Sequence, residues 1–305
     1  MKQHLRDQLL SALAPWRTAP AWRIAFSGGL DSTVLLHLLA DLATREAVPP
    51  LSAIHIHHGL QAAADAWPDH CAEVCRALGV PLQVLRVNVQ SGASVERAAR
   101  DARYAAFNQL LATDELLLTA QHCDDQAETL LFRLLRGAGV RGLAAMPEQR
   151  ALGKGRLLRP LLNVSRAALE AYAAEHSLCW VEDPSNTDSQ FSRNYLRQHI
   201  LPLLTARWPQ ATSSMARTAS HLAEAQQLLD ELALQDLAPA DSPSAFTWLG
   251  LSSLELAPLK ELSAARQRNA LRYWLAALTR LPDSEHWVGW DSLRDAGEGS
   301  QPIWR

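Results

Sequence analysis

The chain has 305 residues, room for about two domains, and its 48% hydrophobic and 20% charged content is that of a globular protein. No run of about 18 uncharged apolar residues occurs, and the opening MKQHLRDQLL holds no apolar stretch of the signal-peptide kind, so a cytoplasmic location is the expectation. A formal net charge of −3 does not by itself suggest a nucleic-acid partner. Phe132 to Pro160, however, carries Arg133, Arg136, Arg141, Arg150, Lys154, Arg156 and Arg159 against the single acid Glu148, a local excess that suits a phosphate backbone or a solvated face.

Apolar runs then alternate with helical patterns along the chain. Arg23–Phe26, Ser52–His57, Leu82–Val89 and Glu115–Ala120 are candidate strands, with a weaker one at Arg156–Leu161. Helical periodicity falls near Asp31–Glu46, Asp65–Leu78, Val95–Ala112, Asp124–Arg136 and Arg166–Glu175. Repeated units of this length imply an α/β fold, a doubly wound, mostly parallel sheet with helices on both faces and ligands beyond the carboxyl ends of the strands. After Pro209 the pattern changes. Ser213–Leu237 reads as one long amphipathic helix, Ala238–Ser244 as a loop, and the region to about Thr279, including Leu271–Leu278, as mainly helical. The expected division is a catalytic domain at 1–212, a connecting helix and loop at 213–240, and a smaller helical domain at 241–305 whose last residues, Pro302–Arg305, look like an incoming strand. Cys71, Cys75, Cys123 and Cys179 form no C-x-x-C pair and no zinc spacing, and Cys71 and Cys75 fall one turn apart as buried thiols of a helix. Trp16, Trp22 and the later tryptophans suit core packing or base stacking.

The first strand-to-helix corner, 24-IAFSGGLDSTVLLHLLA-40, carries the sharpest chemistry. A helix N-terminus offers unpaired N–H groups and a positive dipole end, both suited to phosphate. Gly28 and Gly29 let the backbone come close, and Ser27 and Ser32 add hydroxyl donors. Asp31 is out of place beside phosphate unless a cation stands between, which points to Mg²⁺. The plainer alternative is a tight turn followed by an Asp-Ser helix cap. The chain has no G-x-x-x-x-G-K-[ST] and no G-x-G-x-x-G in its first β-α turn, so neither a P-loop NTPase nor a dinucleotide-binding fold is indicated.

SGG-x-DS resembles the pyrophosphate loop of the N-type ATP pyrophosphatases, the PP-loop superfamily. Four further stretches, 54-IHIHHGL-60, 96-ERAARDARYAAF-107, 119-TAQHCDDQAETLLFRLLRGAGVRGL-143 and 182-EDPSNTDSQFSRNYLRQHILPLL-204, are in order and spacing similar to the tRNA(Ile)-lysidine synthetases, over about residues 20–210. The resemblance implies that ATP adenylates the C2 oxygen of the wobble cytidine in a CAU anticodon. The ε-amine of L-lysine then displaces AMP. Lysine has a solution pKa near 10.4, so the neutral amine costs about 4.6 kcal/mol at pH 7, at roughly 1.36 kcal/mol per unit, and a site that takes the proton offsets part of that.

Within that resemblance Ser27, Gly28, Gly29, Asp31, Ser32, His55, His58 and His122 are the expected ATP contacts, with Mg²⁺ at Asp31. Asp125 and Glu128 share a helix face at i, i+3 and are expected to hold the lysine ammonium, one of them as base, although acids at a helix start also merely favour the dipole. Arg100 and Arg103 are expected at the ATP phosphates or the adenylated base, with Glu96 orienting one of them, ordinary helix pairing being the alternative. Arg193 and Asn194 match a family position near lysine and nucleotide; Arg197, Asp124 and His57 are left without a role. The resemblance also allows a homodimer, and it implies that fuller members continue into a further C-terminal domain with acceptor-stem contacts. Rival readings are a PP-loop tRNA thiolase of the 2-thiocytidine type, which the cysteine spacing does not supply, and a non-catalytic RNA-binding module that only senses ATP.

Overall fold

The computed structural model describes residues 2–59, 62–89, 95–188, 190–240, 253–276, 278–279 and 287–297. Two compact units divide it, Met1–His221 and Leu222–Arg305. In the first, helix α1 (Lys2–Leu13) leads into β1 (Trp22–Ala25), α2 (Leu30–Arg45), β2 (Leu51–His57), α3 (Trp67–Ala77), β3 (Leu82–Arg86), α4 (Val95–Leu110), β4 (Leu116–Leu118) and α5 (Cys123–Leu134). A short α6 (Val140–Leu143) precedes β5 (Gln149–Leu152) and β6 (Gly155–Leu158), and α7 (Arg166–Glu175) follows. Next come α8 (Ser192–Tyr195), a π-helical turn at Leu196–Ile200, α9 (Leu201–Arg207) and α10 (Ala211–Leu237), within which the boundary of the units falls.

The six strands form one sheet in the order β3-β2-β1-β4-β6-β5. All neighbours are parallel except β5–β6, an antiparallel edge hairpin closed at Gly153 with φ +59°. The sheet is doubly wound and mostly parallel, as expected; the hairpin strand β5 is an element the sequence reading did not contain. One face packs on α1, α2, α3 and α7 through Leu5, Leu9, Leu35, Cys71, Cys75 and Leu169, and the other on α4 through Ala106, Phe107 and Leu111 against Ile54, Ile56 and Leu117. Apolar burial at these two interfaces favours folding of the unit at about 25 cal/mol per Å². Trp22 is fully buried in the first of these cores and gives its indole N–H to the Trp16 carbonyl at 3.2 Å, so base stacking at Trp22 is ruled out by burial.

The strand order reverses between β1 and β4, which leaves a crevice at their carboxyl ends. That is where the functional residues gather. The second unit contains α11 (Leu256–Lys260), α12 (Ala264–Leu275) and α13 (Trp287–Arg294), with Leu237, Leu259, Leu271 and Trp290 as its core. Buried Asp236 pairs with Arg266 there. Most of the Ala238–Ser244 loop and all of Pro302–Arg305 lie outside the described residues. Among the described residues no helix is long and apolar enough to cross a membrane.

Candidate active site

A cavity of about 540 Å³ opens beyond β1 and β4. The turn after β1 forms its floor. Gly28 sits at φ +86°, a left-handed conformation that side chains disfavour, and a Cβ there would stand 3.0 Å from Cys71 Sγ and 3.1 Å from Val181 Cγ2. Gly28 is therefore required both by its backbone angle and by the close approach of α3 and of the 180–183 segment, whose Val181 N–H donates to the Gly28 carbonyl at 2.9 Å. Gly29 caps α2 with extended backbone, and Ser27, Gly29, Asp31 and Ser32 line the cavity. The Ser32 hydroxyl is buried and shared between Ser27 Oγ and the Gly29 carbonyl, each at 3.0 Å, while Ser27 is exposed.

Beneath the turn lies His122, the N-cap of α5, 1% exposed. Its ring nitrogens stand 3.6 Å from Asp31 Oδ2, 3.7 Å from Asp124 Oδ2 and 3.6 Å from Asp125 Oδ2, distances of ion pairs rather than hydrogen bonds. Burial opposes the charged ring, but Asp124, Asp31 and Asp125 outweigh it and hold the pKa up at about 10. His122 is thus an imidazolium that clamps three carboxylates from below. It does not line the cavity, so an ATP contact through its ring, as expected from the sequence, is not what this geometry offers; burial under Asp31 is the reason. Burial also pushes Asp31 upward, yet His122, Arg166 and Arg197 together bring its pKa below the ordinary value. Asp31 Oδ1 is buried and accepts no hydrogen bond, which leaves one hard oxygen for a cation. Among the described residues no three His, Cys, Asp or Glu side chains gather to hold a metal. A single carboxylate beside phosphate is nonetheless the donor set that Mg²⁺ uses in such sites.

His55, on the inward face of β2, is buried with Nδ1 2.9 Å from the Phe26 carbonyl, and His58 lies at the strand end; both line the cavity. His57 turns to Asp65 at 3.3 Å instead. Arg103 lines the opposite wall. Arg100 does not: it is exposed and lies over the Tyr104 ring at 4.9 Å, with Arg150 over the same ring at 4.9 Å. Burial raises the Tyr104 hydroxyl, but the charges of Arg100, Arg159, Arg103 and Arg150 bring it below the ordinary tyrosine value, a measure of how positive this wall is. Two of the seven basic residues noted in the sequence serve the fold instead, Arg133 donating to the carbonyls of Gly142 and Ala145 and Arg159 to that of Pro147. Of Glu96 only the backbone, in α4, belongs to the described structure.

A second cavity of about 250 Å³ adjoins the first, with Arg166 and Arg197 lining both. Asp124 and Glu128 face it, whereas Asp125 faces the first. Arg197 stands between the two acids expected to hold lysine. Its Nε donates to Glu128 Oε1 at 2.5 Å, and its Nη2 to Glu128 Oε2 at 2.9 Å and to Asp125 Oδ1 at 3.4 Å. Burial raises the Glu128 pKa more than Arg197 lowers it, while Glu128 and Asp125 raise that of Arg197. The pair is held together, and the carboxylate keeps part of its desolvation cost, which makes it a better proton acceptor. Arg193 donates to the Thr129 hydroxyl at 3.3 Å and lines neither cavity, while Asn194 pins the 183–188 loop through the carbonyls of Ser185 and Asp188.

Sequence reasoning assigned no role to Arg166, although a signal for it existed. A cation in the first turn of a helix opposes the macrodipole, and Arg166 follows the Ser165 cap of α7 directly. It stands 3.7 Å from Asp31, and its backbone N–H donates to Asp124 at 2.8 Å.

Comparison with known proteins matches residues 1–204 to the PP-loop domain and residues 254–305 to the TilS substrate binding domain. The tRNA(Ile)-lysidine synthase of Pseudomonas syringae pv. tomato is 67% identical over 301 residues, covering 99% of this chain and 68% of the relative. That of Pseudomonas fluorescens Pf0-1 is 68% identical with the same shares, and that of Escherichia coli O157:H7 is 45% identical over 92% of this chain and 64% of its own. Among solved structures, the U34-tRNA thiolase NcsA from Methanococcus maripaludis with its [4Fe-4S] cluster shares the fold at a TM-score of 0.60 and 16% identity, over 73% of this chain and 78% of that one. The SGG-x-DS turn after β1, the QHCDD helix start at its side and these matches lead to one assignment: the chain belongs to the tRNA(Ile)-lysidine synthase family.

Proposed function

We propose that this chain ligates L-lysine to C2 of the wobble cytidine of a tRNA(Ile) with a CAU anticodon, in two half-reactions at the two adjoining cavities. It is an ATP-using ligase, and its PP-loop domain binds ATP. In the first half-reaction the cytidine O2 attacks the α-phosphorus and the bond to the β-phosphate breaks, releasing pyrophosphate. In the second, the lysine ε-amine attacks C2, the C2–O bond breaks with AMP as leaving group, and the amine proton passes to a carboxylate.

The observation that carries this reading is the junction of the cavities: a phosphate-binding turn on one side, Glu128 and Asp124 on the other, and Arg166 and Arg197 common to both. Ser27 and the backbone of Gly28 and Gly29 receive the β- and γ-phosphates, supported by Arg103 and the positive wall around Tyr104. Asp31 would hold Mg²⁺, which would supply counter-charge to the phosphates. The smaller cavity suits a free amino acid, its ammonium end toward Glu128 and Asp124 and its carboxylate toward Arg166. Glu128, raised by burial, is the base. His122 favours the ionised forms of Asp31 and Asp124 and stands against Asp125.

A thiolase reading has less support. Burial pushes the thiols of Cys71, Cys75 and Cys123 up to about 12, 11 and 11, so at neutral pH they are protonated core groups rather than thiolates. The test is stoichiometric. With purified chain, ATP, lysine and CAU tRNA, pyrophosphate and AMP should appear in equal amounts only when tRNA is present. tRNA-dependent ADP would refute the reading, and ATP binding without turnover would favour a sensing module.

A further inference from the structure

The segment α8–α9 has two faces. Inward, Leu196 and Leu201 are buried, and Arg193 and Arg197 reach Thr129 and Glu128. Outward, Phe191, Tyr195, Leu203 and Trp208 are 38%, 49%, 70% and 57% exposed. With His199 and Arg207 they form a row that recurs every fourth residue, 191, 195, 199, 203 and 207, and Trp208 closes it. Tyr195 lies against His199 at 4.9 Å between ring centroids, the rings tilted by 42°, and the Arg207 guanidinium sits 5.5 Å over the Trp208 ring. A single exposed leucine is ordinary, but a row of exposed Phe191, Tyr195, Leu203 and Trp208 is a contact surface.

Charge decides what it contacts. From 189 to 223 the chain has no Asp or Glu, yet it carries Arg193, Arg197, Arg207 and Arg217 with His199 and His221. Arg193 and Arg197 are engaged inward, so the exposed arginines are Arg207 and Arg217, with no acid in the same stretch against them; exposed aromatic rings beside such arginines suit bases and phosphates. A second copy of this chain is a poor occupant: a two-fold interface sets the patch against itself, and a patch whose charges are all positive repels its twin.

We propose that this outer face is an RNA platform, on which unpaired bases flanking the target cytidine stack against Tyr195–His199 and Trp208 while Arg207 meets a phosphate. The proposal rests on the tRNA-modifying reading of the same helix's inner face and adds to it where the RNA lies.

The test uses the whole chain and a fluorescein-labelled CAU anticodon stem–loop RNA, with affinity from anisotropy and kinetics from labelled lysine. Tyr195→Ala and Trp208→Ala should each weaken RNA binding about five- to a hundredfold, the range of one lost base stack. KM for tRNA should rise with kcat unchanged, and Tyr195→Phe should keep wild-type affinity. Arg207→Gln should lower the slope of log affinity against log salt by about 0.7, one phosphate contact on a single strand. These side chains are exposed, so the urea midpoint should not move. Unchanged RNA affinity in both alanine variants, beside a wild type that binds and turns over, overturns the platform alone. So does a wild-type dimer that becomes monomeric in Trp208→Ala with RNA affinity intact. A wild type that neither binds RNA nor incorporates lysine refutes the functional reading, and the platform with it.

Discussion

Removing Arg197 tests the electrostatics of the site without touching the phosphate turn. Glu128 is 2% exposed, and its two oxygens receive Arg197 at 2.5 and 2.9 Å. Each charge-assisted bond is worth about 1.5–3 kcal/mol, but the Arg197 side chain is 35% exposed, so solvent screening lowers their sum. Arg197→Ala strands a buried carboxylate, for which the cost is about 3–5 kcal/mol. Protonation sets a ceiling on it. Neutralising a glutamate of pKa about 4.3 takes about 3.7 kcal/mol at pH 7 and about 1 kcal/mol at pH 5, at roughly 1.36 kcal/mol per unit. A carboxylate with a raised folded pKa costs nothing below its unfolded pKa, and the cost grows as pH rises above it. Arg197→Ala should therefore destabilise the protein by about 3 kcal/mol at pH 7 and by about 1 kcal/mol at pH 5. Urea denaturation at the two pH values, read as midpoint times slope, measures both. Equal losses at pH 5 and pH 7, or no loss at pH 7, would refute the picture of Glu128 as a buried charge held by one arginine.

Asp31→Ala should abolish pyrophosphate release while leaving the fold intact, because the phosphates lose the counter-charge anchored at Oδ1; near-normal release in a direct pyrophosphate assay would contradict that assignment. Glu128→Gln removes the base but keeps the shape, so single-turnover adenylation should survive while lysine transfer falls by about 10²–10⁴-fold. Equal loss of both steps would show that the division of roles is wrong. Gly28→Ala forces a side chain into a left-handed backbone and against Cys71 and Val181, and calorimetry should find ATP binding lost and stability lowered by about 1–2 kcal/mol or more; wild-type affinity would mean that the turn rearranges freely.

The parallel sheet was readable because β4 and the end of β2 are buried on both faces and β1 keeps Trp22 and Ile24 buried, each element being a short segment between helical patterns. The tight turn between β1 and α2 was readable because a glycine pair marks a strand-to-helix corner that needs a left-handed residue, Gly28. α1 was passed over although Leu5, Leu9 and Leu13 mark its buried stripe at i+4 spacing. β5, QRAL, has neither alternation nor a β-branched residue and is a strand through its pairing with β6. At the site, local spacing identified the acids of α5 but not their partner. Arg197 lies 69 residues from Glu128, and only the fold brings them together. Spacing likewise could not tell that His122 is buried against Asp31 rather than open to ligand, since a contact with the first turn of the distant helix α2 leaves no mark in the neighbouring residues.

The most direct test of the account is the nucleoside itself. After incubation of the chain with ATP, isotopically labelled lysine and CAU tRNA, digestion and mass spectrometry of the wobble position should show cytidine carrying one lysine in place of its C2 oxygen, with one AMP released per residue formed. A wobble cytidine that stays unmodified, or that gains sulfur instead of lysine, while ATP is consumed in a tRNA-dependent manner, would contradict it.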